Sequence, residues 1–179
     1  MDVVRAAKCF HICGRWPKGC NASFISLIPK VDNPQGLDEY RPISLVGSMY
    51  EIISKILSKR LQKVLYKIID NKQSAFIEGK GILDSVVAVN EVIDEVRRKK
   101  ESCIILKTNF EKAYDSVNWE FLFYMLQRLG FCQKWIKWIR GCLESSTISI
   151  LVNGSPTEQF VPTKGLRQGD PLAPFLFLH

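Results

Sequence analysis

The chain has 179 residues, of which 46% are hydrophobic and 24% are charged. These values are typical of a globular domain with a substantial core, and they exclude a chain that is disordered over most of its length. The 25 Lys and Arg residues outnumber the 18 Asp and Glu residues, so the formal net charge is +7. A basic balance is compatible with a polyanionic partner such as a nucleic acid, and it is explained at least equally well by solubility alone.

The apolar pattern of the first half predicts helices and a short strand. A weak helical pattern over residues 3–13, without a capping signal, precedes a strand over residues 24–28 and a polar loop. Residues 48–69 form the clearest predicted helix, with apolar residues at helical spacing. A further helix is predicted over residues 82–98, with Leu83, Val86, Val89, Val92, Ile93 and Val96 facing inward.

The second half continues the mixture, so the sequence predicts an α+β fold. Helices are expected over residues 117–129 and 133–143. Residues 103–108, which begin with the apolar run CIIL, are expected to form a buried strand. Alternating residues from Thr147, followed by Asn153-Gly154, predict a β-hairpin over residues 147–161. We expect the strand at 103–108 to pair with one strand of this hairpin.

The cysteine and histidine spacings disfavour a metal site or a disulfide framework. No two of the six cysteines have C-x-x-C spacing, and the two histidines are His11 and His179. Because no secretory signal is visible, we expect reduced, mostly buried thiols in an intracellular protein. The apolar runs are also too short to span a membrane, so no membrane partner is expected.

A basic stripe runs along the helix predicted over residues 48–69. Lys55, Lys59, Lys63 and Lys67 follow at intervals of four, so each lies one turn from the next. Two interpretations stay open: a solvated face over a core helix, which the spacing alone favours, and a surface that binds nucleic-acid phosphates.

Three short segments carry the clearest functional signal. They are residues 40–45 (YRPISL), 109–115 (NFEKAYD) and 165–175 (GLRQGDPLAPF). Two further segments lie between them: residues 73–84, which begin QSAF and end GKGILD, and residues 153–156 (NGSP). In order and spacing these segments resemble the successive blocks of reverse transcriptases of non-LTR (LINE-type) retrotransposons, most of all the plant group. The resemblance covers nearly the whole chain.

This resemblance implies one partial right-hand polymerase domain. Residues up to about 100 would be helical fingers, and residues from about 101 to 179 would be part of the palm. The implied activity is that of an RNA-directed DNA polymerase, whose partners are an RNA template, a DNA primer and a dNTP. Only the usual location of this family's members places such a protein in the nucleus.

The family's metal site is incomplete in these residues. Nucleotide addition is a phosphoryl transfer that two Mg²⁺ ions stabilise, and carboxylate oxygens hold those ions. Asn109 stands where the family has its first metal-binding Asp, and the later Asp-Asp hairpin has no counterpart in these 179 residues. Asp115 does not obviously replace the carboxylate, since it or Ser116 is expected to cap the following helix. The resemblance therefore implies a truncated fragment that does not bind Mg²⁺ productively and is inactive.

Other positions keep the family's pattern. Phe110 would offer its backbone carbonyl to the metal site, and Tyr114 would abut the sugar and exclude a 2′-hydroxyl. Gln168 and Gly169 match the loop that backs the incoming nucleotide and the template base, where glycine permits a close backbone approach. From the residues alone, Tyr114 could equally be a core aromatic and the Gln168-Gly169 pair a plain turn.

Arg41 and Lys80 resemble the basic residues of the fingers that lie near the triphosphate and the template. A single Arg or Lys is usually solvated, which is the alternative for both.

Three other interpretations of the whole chain stay open. It could be a non-catalytic nucleic-acid-binding remnant, or the product of a decayed element. A group II intron maturase shares the palm, but residues 40–45 and 153–156 are more similar to the LINE pattern.

Overall fold

A computed structural model describes residues 2–69, 81–106, 108, 110 and 112–177, with only the backbone described for residues 82, 84 and 85. In these ranges the helices are α1 (Val3–Cys13), α2 (Ser48–Ile68), α3 (Ile82–Lys99), α4 (Trp119–Arg128), α5 (Gln133–Glu144) and α6 (Ala173–Phe177). The strands are β1 (Ala22–Pro29), β2 (Tyr40–Val46), β3 (Thr147–Val152) and β4 (Ser155–Pro156), and a 3₁₀ turn spans Leu37–Glu39. The predicted mixture of helices and strands is confirmed.

The strands form one mixed sheet in the order β2-β1-β3-β4. β1 runs antiparallel to β2, with Ile25 opposite Ser44, and parallel to β3, with Ile25 opposite Ile150. β2 was not predicted as a strand, and Pro42 lies in its middle, where a proline cannot donate a hydrogen bond to a partner strand. β2 lies at the edge of the sheet, and a proline is tolerated there because every second N–H of an edge strand has no partner strand.

A single hydrophobic core lies between the helices. From α2 it takes Tyr50, Ile53, Leu57, Leu61 and Leu65. α4, α5 and α6 supply the facing apolar side chains, among them Leu126, Ile139 and Leu176. The core thus joins elements from both halves of the sequence.

The first helix is complete at both ends. Asp2 caps α1 by accepting a hydrogen bond from the Val4 N–H at 3.3 Å, and Gly14 ends the helix with φ +67°. The expectation that this helix lacks a capping signal was therefore wrong.

The predicted hairpin is confirmed. Asn153 and Gly154 both have positive φ, 51° and 79°, as a two-residue turn between right-twisted strands requires. The returning strand was expected over residues 157–161, but the strand that follows the turn is β4, Ser155–Pro156, and Phe160 forms an isolated bridge to Ile148.

The predicted inner strand at residues 103–108 was wrong for its described part. Residues 101–106 have no strand conformation, and the side chains of Ile104 and Leu106 are 96% and 83% exposed. The physical reason is that β3 is already paired, with β1 on one side and with β4 and Phe160 on the other. The longer strand of the hairpin, β3, therefore has no free side with which residues 103–108 could pair.

Two burial predictions also need correction. On α3 the apolar residues Leu83, Val86, Val89 and Val92 are exposed rather than inward. Of the six cysteines, all free, Cys142 is buried, whereas Cys9, Cys103 and Cys132 are exposed. None of the helices in the described ranges is both long and apolar enough to cross a membrane.

Candidate functional site

Backbone hydrogen bonds bring the three motif segments together. The Ser44 N–H donates to the carbonyl oxygen of Gln168 at 2.8 Å, which ties β2 to the loop before α6. The Leu166 N–H donates to the Tyr114 carbonyl oxygen at 2.8 Å, which ties the same loop to the segment before α4. Segments that lie more than 50 residues apart in the sequence therefore meet around residues 165–170.

Two glycines make these approaches possible. Gly165 has φ +86°, and a Cβ there would lie 3.0 Å from the Asp115 carbonyl oxygen. Gly169 has φ +102°, and a Cβ there would lie 3.1 Å from the Ser44 carbonyl oxygen. Both positions combine a left-handed backbone with a tight backbone neighbour, and only glycine tolerates both conditions without strain.

The meeting point opens into a cleft of about 440 Å³. Its lining includes four of the predicted site residues: Arg41, Phe110, Tyr114 and Gln168. Among the described residues, the other charged groups of the lining are the cations Lys30 and Lys112 and the carboxylates Asp38 and Asp115. With Arg41, the described cations outnumber the described carboxylates in a space large enough for a small phosphorylated ligand.

Tyr114 serves both the cleft and the packing beneath it. Its ring stacks on Phe177 with centroids 5.1 Å apart and an interplanar angle of 17°. Burial raises the pKa of the Tyr114 phenol, so the hydroxyl stays protonated at neutral pH. The two alternatives for this residue, core aromatic and site residue, are thus compatible.

The family model described as "Reverse transcriptase (RNA-dependent DNA polymerase)" matches residues 28–179. The chain belongs to the reverse transcriptase family.

The chain is similar to proteins of non-LTR retrotransposons. The chain is 30% identical over 164 residues to the Xenopus laevis "Transposon TX1 uncharacterized 149 kDa protein", covering 92% of this chain and 12% of the relative. It is 28% identical over 165 residues to the Pol polyprotein of the Drosophila melanogaster type-2 element R2DM, covering 92% and 15%. The RNA-directed DNA polymerase of the Drosophila mobile element jockey is 28% identical over 167 residues, covering 92% and 18%. The chain thus spans less than a fifth of each of these relatives, and its sequence is that of a LINE-type reverse transcriptase domain.

The reverse transcriptase loop has a buried side that sequence reasoning missed. Arg167 and Asp170 flank Gln168-Gly169 in the chain, and both are buried, at 8% and 5% exposure. Tyr50, on α2, donates its hydroxyl hydrogen to Asp170. Tyr50 lies 120 positions before Asp170 and belongs to none of the motif segments, so only the fold reveals that they touch.

The remaining predicted site residues lie elsewhere or outside the described ranges. Asn109 and Lys80 are outside the described residues. Lys55, Lys59 and Lys63 are exposed on α2 and do not line the cleft, and Lys55 pairs with Glu51 at 2.7 Å. The predicted site therefore divides into a cleft group and a separate lysine stripe.

The expected helix cap was also wrong. Asn118 caps α4 by accepting a hydrogen bond from the Phe121 N–H at 3.0 Å. Asp115 is exposed and lines the cleft instead of capping the helix.

The donor set in the described ranges does not fit the family's divalent metal site. No group of three or more His, Cys, Asp or Glu side chains converges there. Of the cleft carboxylates, Asp38 and Asp115 are single groups on different segments, and position 109 is Asn. A two-metal centre needs several carboxylate oxygens in one place, so no chemical step through Mg²⁺ follows from these residues.

Proposed function

We propose that this chain is the nucleotide- and template-binding part of an RNA-directed DNA polymerase of a LINE-type retroelement. In this proposal residues up to about 100 are fingers, residues 101–179 are part of the palm, and the cleft receives a dNTP. The observation that carries it is the convergence of Arg41, Phe110, Tyr114 and Gln168 on one cleft with an excess of cations.

Each cleft residue has a chemistry suited to one part of a dNTP. The Arg41 guanidinium is a permanent cation with several donors, which suits a triphosphate. The flat Tyr114 ring, fixed by its stacking on Phe177, suits the face of a deoxyribose and leaves little room for a 2′-hydroxyl. The Gln168 side chain offers both a donor and an acceptor to the nucleotide or the template base.

We further propose that the 179-residue polypeptide does not extend a primer. Asn109 supplies no charge where the family has a metal-binding Asp, and the sequence contains no Asp-Asp pair. Without those carboxylates the reaction lacks its main electrostatic stabilisation. The polypeptide then binds a dNTP, an RNA template and a DNA primer without joining them.

A second candidate is a nucleic-acid-binding remnant that has no nucleotide site. The exposed stripe on α2 favours it, because Lys59 and Lys63 form no ion pair within the described part of the chain. Such a surface would bind phosphates without reading sequence.

Nucleotide binding separates the two candidates. Titration of the protein with a base-labelled fluorescent dNTP in MgCl₂ gives the Kd of the native chain and of Arg41→Ala and Gln168→Ala. Arg128→Ala is the control, because Arg128 is an exposed arginine on α4 that does not line the cleft. We expect Arg41→Ala to raise the Kd about tenfold, as the loss of a charge-assisted hydrogen bond does. Equal Kd values for all four proteins, or no binding at all, would leave only the remnant.

A further inference from the structure

The loop between Gly165 and α6 has two faces with opposite surroundings. Gln168 lies in the cleft and is half-buried, and Gly169 is exposed. Arg167 and Asp170, immediately before and after them, point into the protein and are among the least exposed charged residues of the described chain. A buried charge is costly unless it is paired and hydrogen-bonded, so this arrangement requires specific partners.

Arg167 has partners on several elements. Its Nη1 donates to the Asn21 side-chain oxygen at 2.8 Å, and its Nη2 lies 3.4 Å from the Cys142 carbonyl oxygen. Nη2 also lies 3.3 Å from Asp170 Oδ2, and the guanidinium carbon lies 4.0 Å from the centre of the Tyr50 ring. The planar fork of arginine fits this set of partners, and the shorter ammonium of lysine would not reach all of them.

Asp170 is held with equal specificity. Tyr50 donates its hydroxyl hydrogen to Oδ2 at 2.5 Å, and the Leu172 N–H donates to Oδ1 at 2.9 Å. Burial, and then the Asp170 carboxylate, hold the pKa of the Tyr50 phenol well above its ordinary value. The Tyr50 phenol therefore stays protonated at neutral pH and remains a hydrogen-bond donor to Asp170.

The opposite face of the loop is fixed by one backbone hydrogen bond. The Gln168 carbonyl accepts from the Ser44 N–H on the outer edge of β2. Neighbouring residues of a strand alternate sides, so the N–H groups of Ile43 and Leu45 face β1 instead. The Ser44 amide is thus a direct reporter of whether the loop is docked on the sheet.

We propose that Tyr50, Arg167 and Asp170 form a buried brace that sets the position of Gln168 in the cleft. Tyr50 and Asp170 are then positioning residues: neither touches the nucleotide, and both act through the loop that carries Gln168. This inference rests on the proposed function, since the cleft is taken to be the dNTP site. The geometry of the brace itself does not depend on that function.

The first test needs no ligand. Amide hydrogen exchange, followed by NMR on the full chain, compares the native protein with Tyr50→Phe, which removes only the hydroxyl. Ser58→Ala is the matched control, because it also removes one buried hydroxyl from α2, and that hydroxyl donates to the Lys55 carbonyl oxygen of the same helix. We expect Tyr50→Phe to lower the protection of the Ser44 amide about tenfold relative to the Ile43 and Leu45 amides.

Ser58→Ala should leave that ratio unchanged. Equal loss of protection at Ser44 and at its two neighbours in Tyr50→Phe would overturn the proposal, because the hydroxyl would then contribute to global stability alone. Asp170→Asn is the second variant and should repeat the effect. If it does not fold, Tyr50→Phe still decides the question.

The second test is a double-mutant cycle on nucleotide affinity. If the brace acts through Gln168, Tyr50→Phe raises the Kd for the fluorescent dNTP about fivefold in the native chain and less than about twofold in the Gln168→Ala background. An equal change in both backgrounds would overturn the proposal, because a merely structural role would act independently of Gln168. If the native chain binds no dNTP, the proposed function fails, and hydrogen exchange at Ser44 still decides whether the brace exists.

Discussion

Gly165 is where the second and third motif segments are packed most tightly, so Gly165→Ala is the sharpest test of their docking. The Gly165 N–H donates to the Val117 carbonyl at 2.8 Å, and its own carbonyl accepts from Trp119 Nε1 at 2.7 Å. An added Cβ would meet the carbonyl oxygen of Asp115 at 3.0 Å and its Cα at 3.2 Å. Those atoms are backbone, so they cannot move aside without breaking the hydrogen bonds that tie the segments together.

Two costs add in this variant. An alanine at a left-handed position costs about 1 to 2 kcal/mol. Forcing a methyl group against fixed backbone costs about 1 to 3 kcal/mol more. We therefore expect Gly165→Ala to lower the free energy of unfolding by about 3 kcal/mol, and to lower the Tm by roughly 10 °C for a chain of this size.

Gly130→Ala is the matched control. Gly130 has φ +84°, close to the +86° of Gly165, but a Cβ there would meet nothing within 4 Å. The left-handed strain and the change in unfolded-state entropy are thus shared by the two variants, and only the contact differs. Urea unfolding followed by circular dichroism should show a loss of about 1 kcal/mol for Gly130→Ala, with an unchanged m-value in both variants. Equal losses would refute the close docking of residues 112–117 against the Gly165 loop.

Three further predictions follow from the stripe, the metal position and the buried thiol. Replacing Lys55, Lys59 and Lys63 with Gln should reduce the slope of log affinity for RNA against log salt by about 1 to 3, and an unchanged slope would assign the stripe to solvated surface. Asn109→Asp alone should restore no primer extension with Mg²⁺ or Mn²⁺, because the metal ligands act as a unit, and metal-dependent synthesis by the unmodified chain would show that the carboxylates are misassigned. Burial, and then Asp170, raise the pKa of the Cys142 thiol to about 12. Since the unfolded thiol ionises near its ordinary pKa of 9.0, stability should fall from about pH 9 towards pH 12, and Cys142→Ala should remove that part of the fall in pH-dependent denaturant unfolding.

Local signals were sufficient to predict α1 to α5 and the turn of the hairpin, whereas α6 was not predicted. The predicted boundaries of α2 agree with Ser48–Ile68 to within one residue, because the spacing of its apolar positions is a local signal. The turn at Asn153-Gly154 was predicted correctly for the same reason. Pairing partners are not local, and both errors about strands come from this. β2 was missed, and the run CIIL was expected to pair with a hairpin whose longer strand, β3, is already paired on both sides.

Local signals also decided which part of the candidate site could be predicted from the sequence. The residues that line the cleft were found because their motifs are short and contiguous in the sequence. The brace beneath them was not found. Arg167 and its partner Asn21 are 146 positions apart, and no local sequence pattern indicates that the two side chains are paired. Nothing in the letters RQGD distinguishes the two residues that point inward from the two that point outward.

The division of the loop into two faces changes what substitutions within one motif should mean. A change at Gln168 should lower the affinity for the nucleotide and leave the fold intact, because its side chain lines the cleft. A change at Arg167 leaves Asp170 as a buried carboxylate without its cation, which typically costs 3 to 5 kcal/mol, roughly a third or more of the stability of an ordinary domain. Substitutions at two adjacent residues of one motif are therefore expected to have different effects. A change at Gln168 should weaken nucleotide binding in a stable protein, whereas a change at Arg167 should destabilise the protein. Comparing Gln168→Ala with Arg167→Ala by dNTP affinity and by Tm separates them, and a stable Arg167→Ala protein would show that the guanidinium is not buried as described.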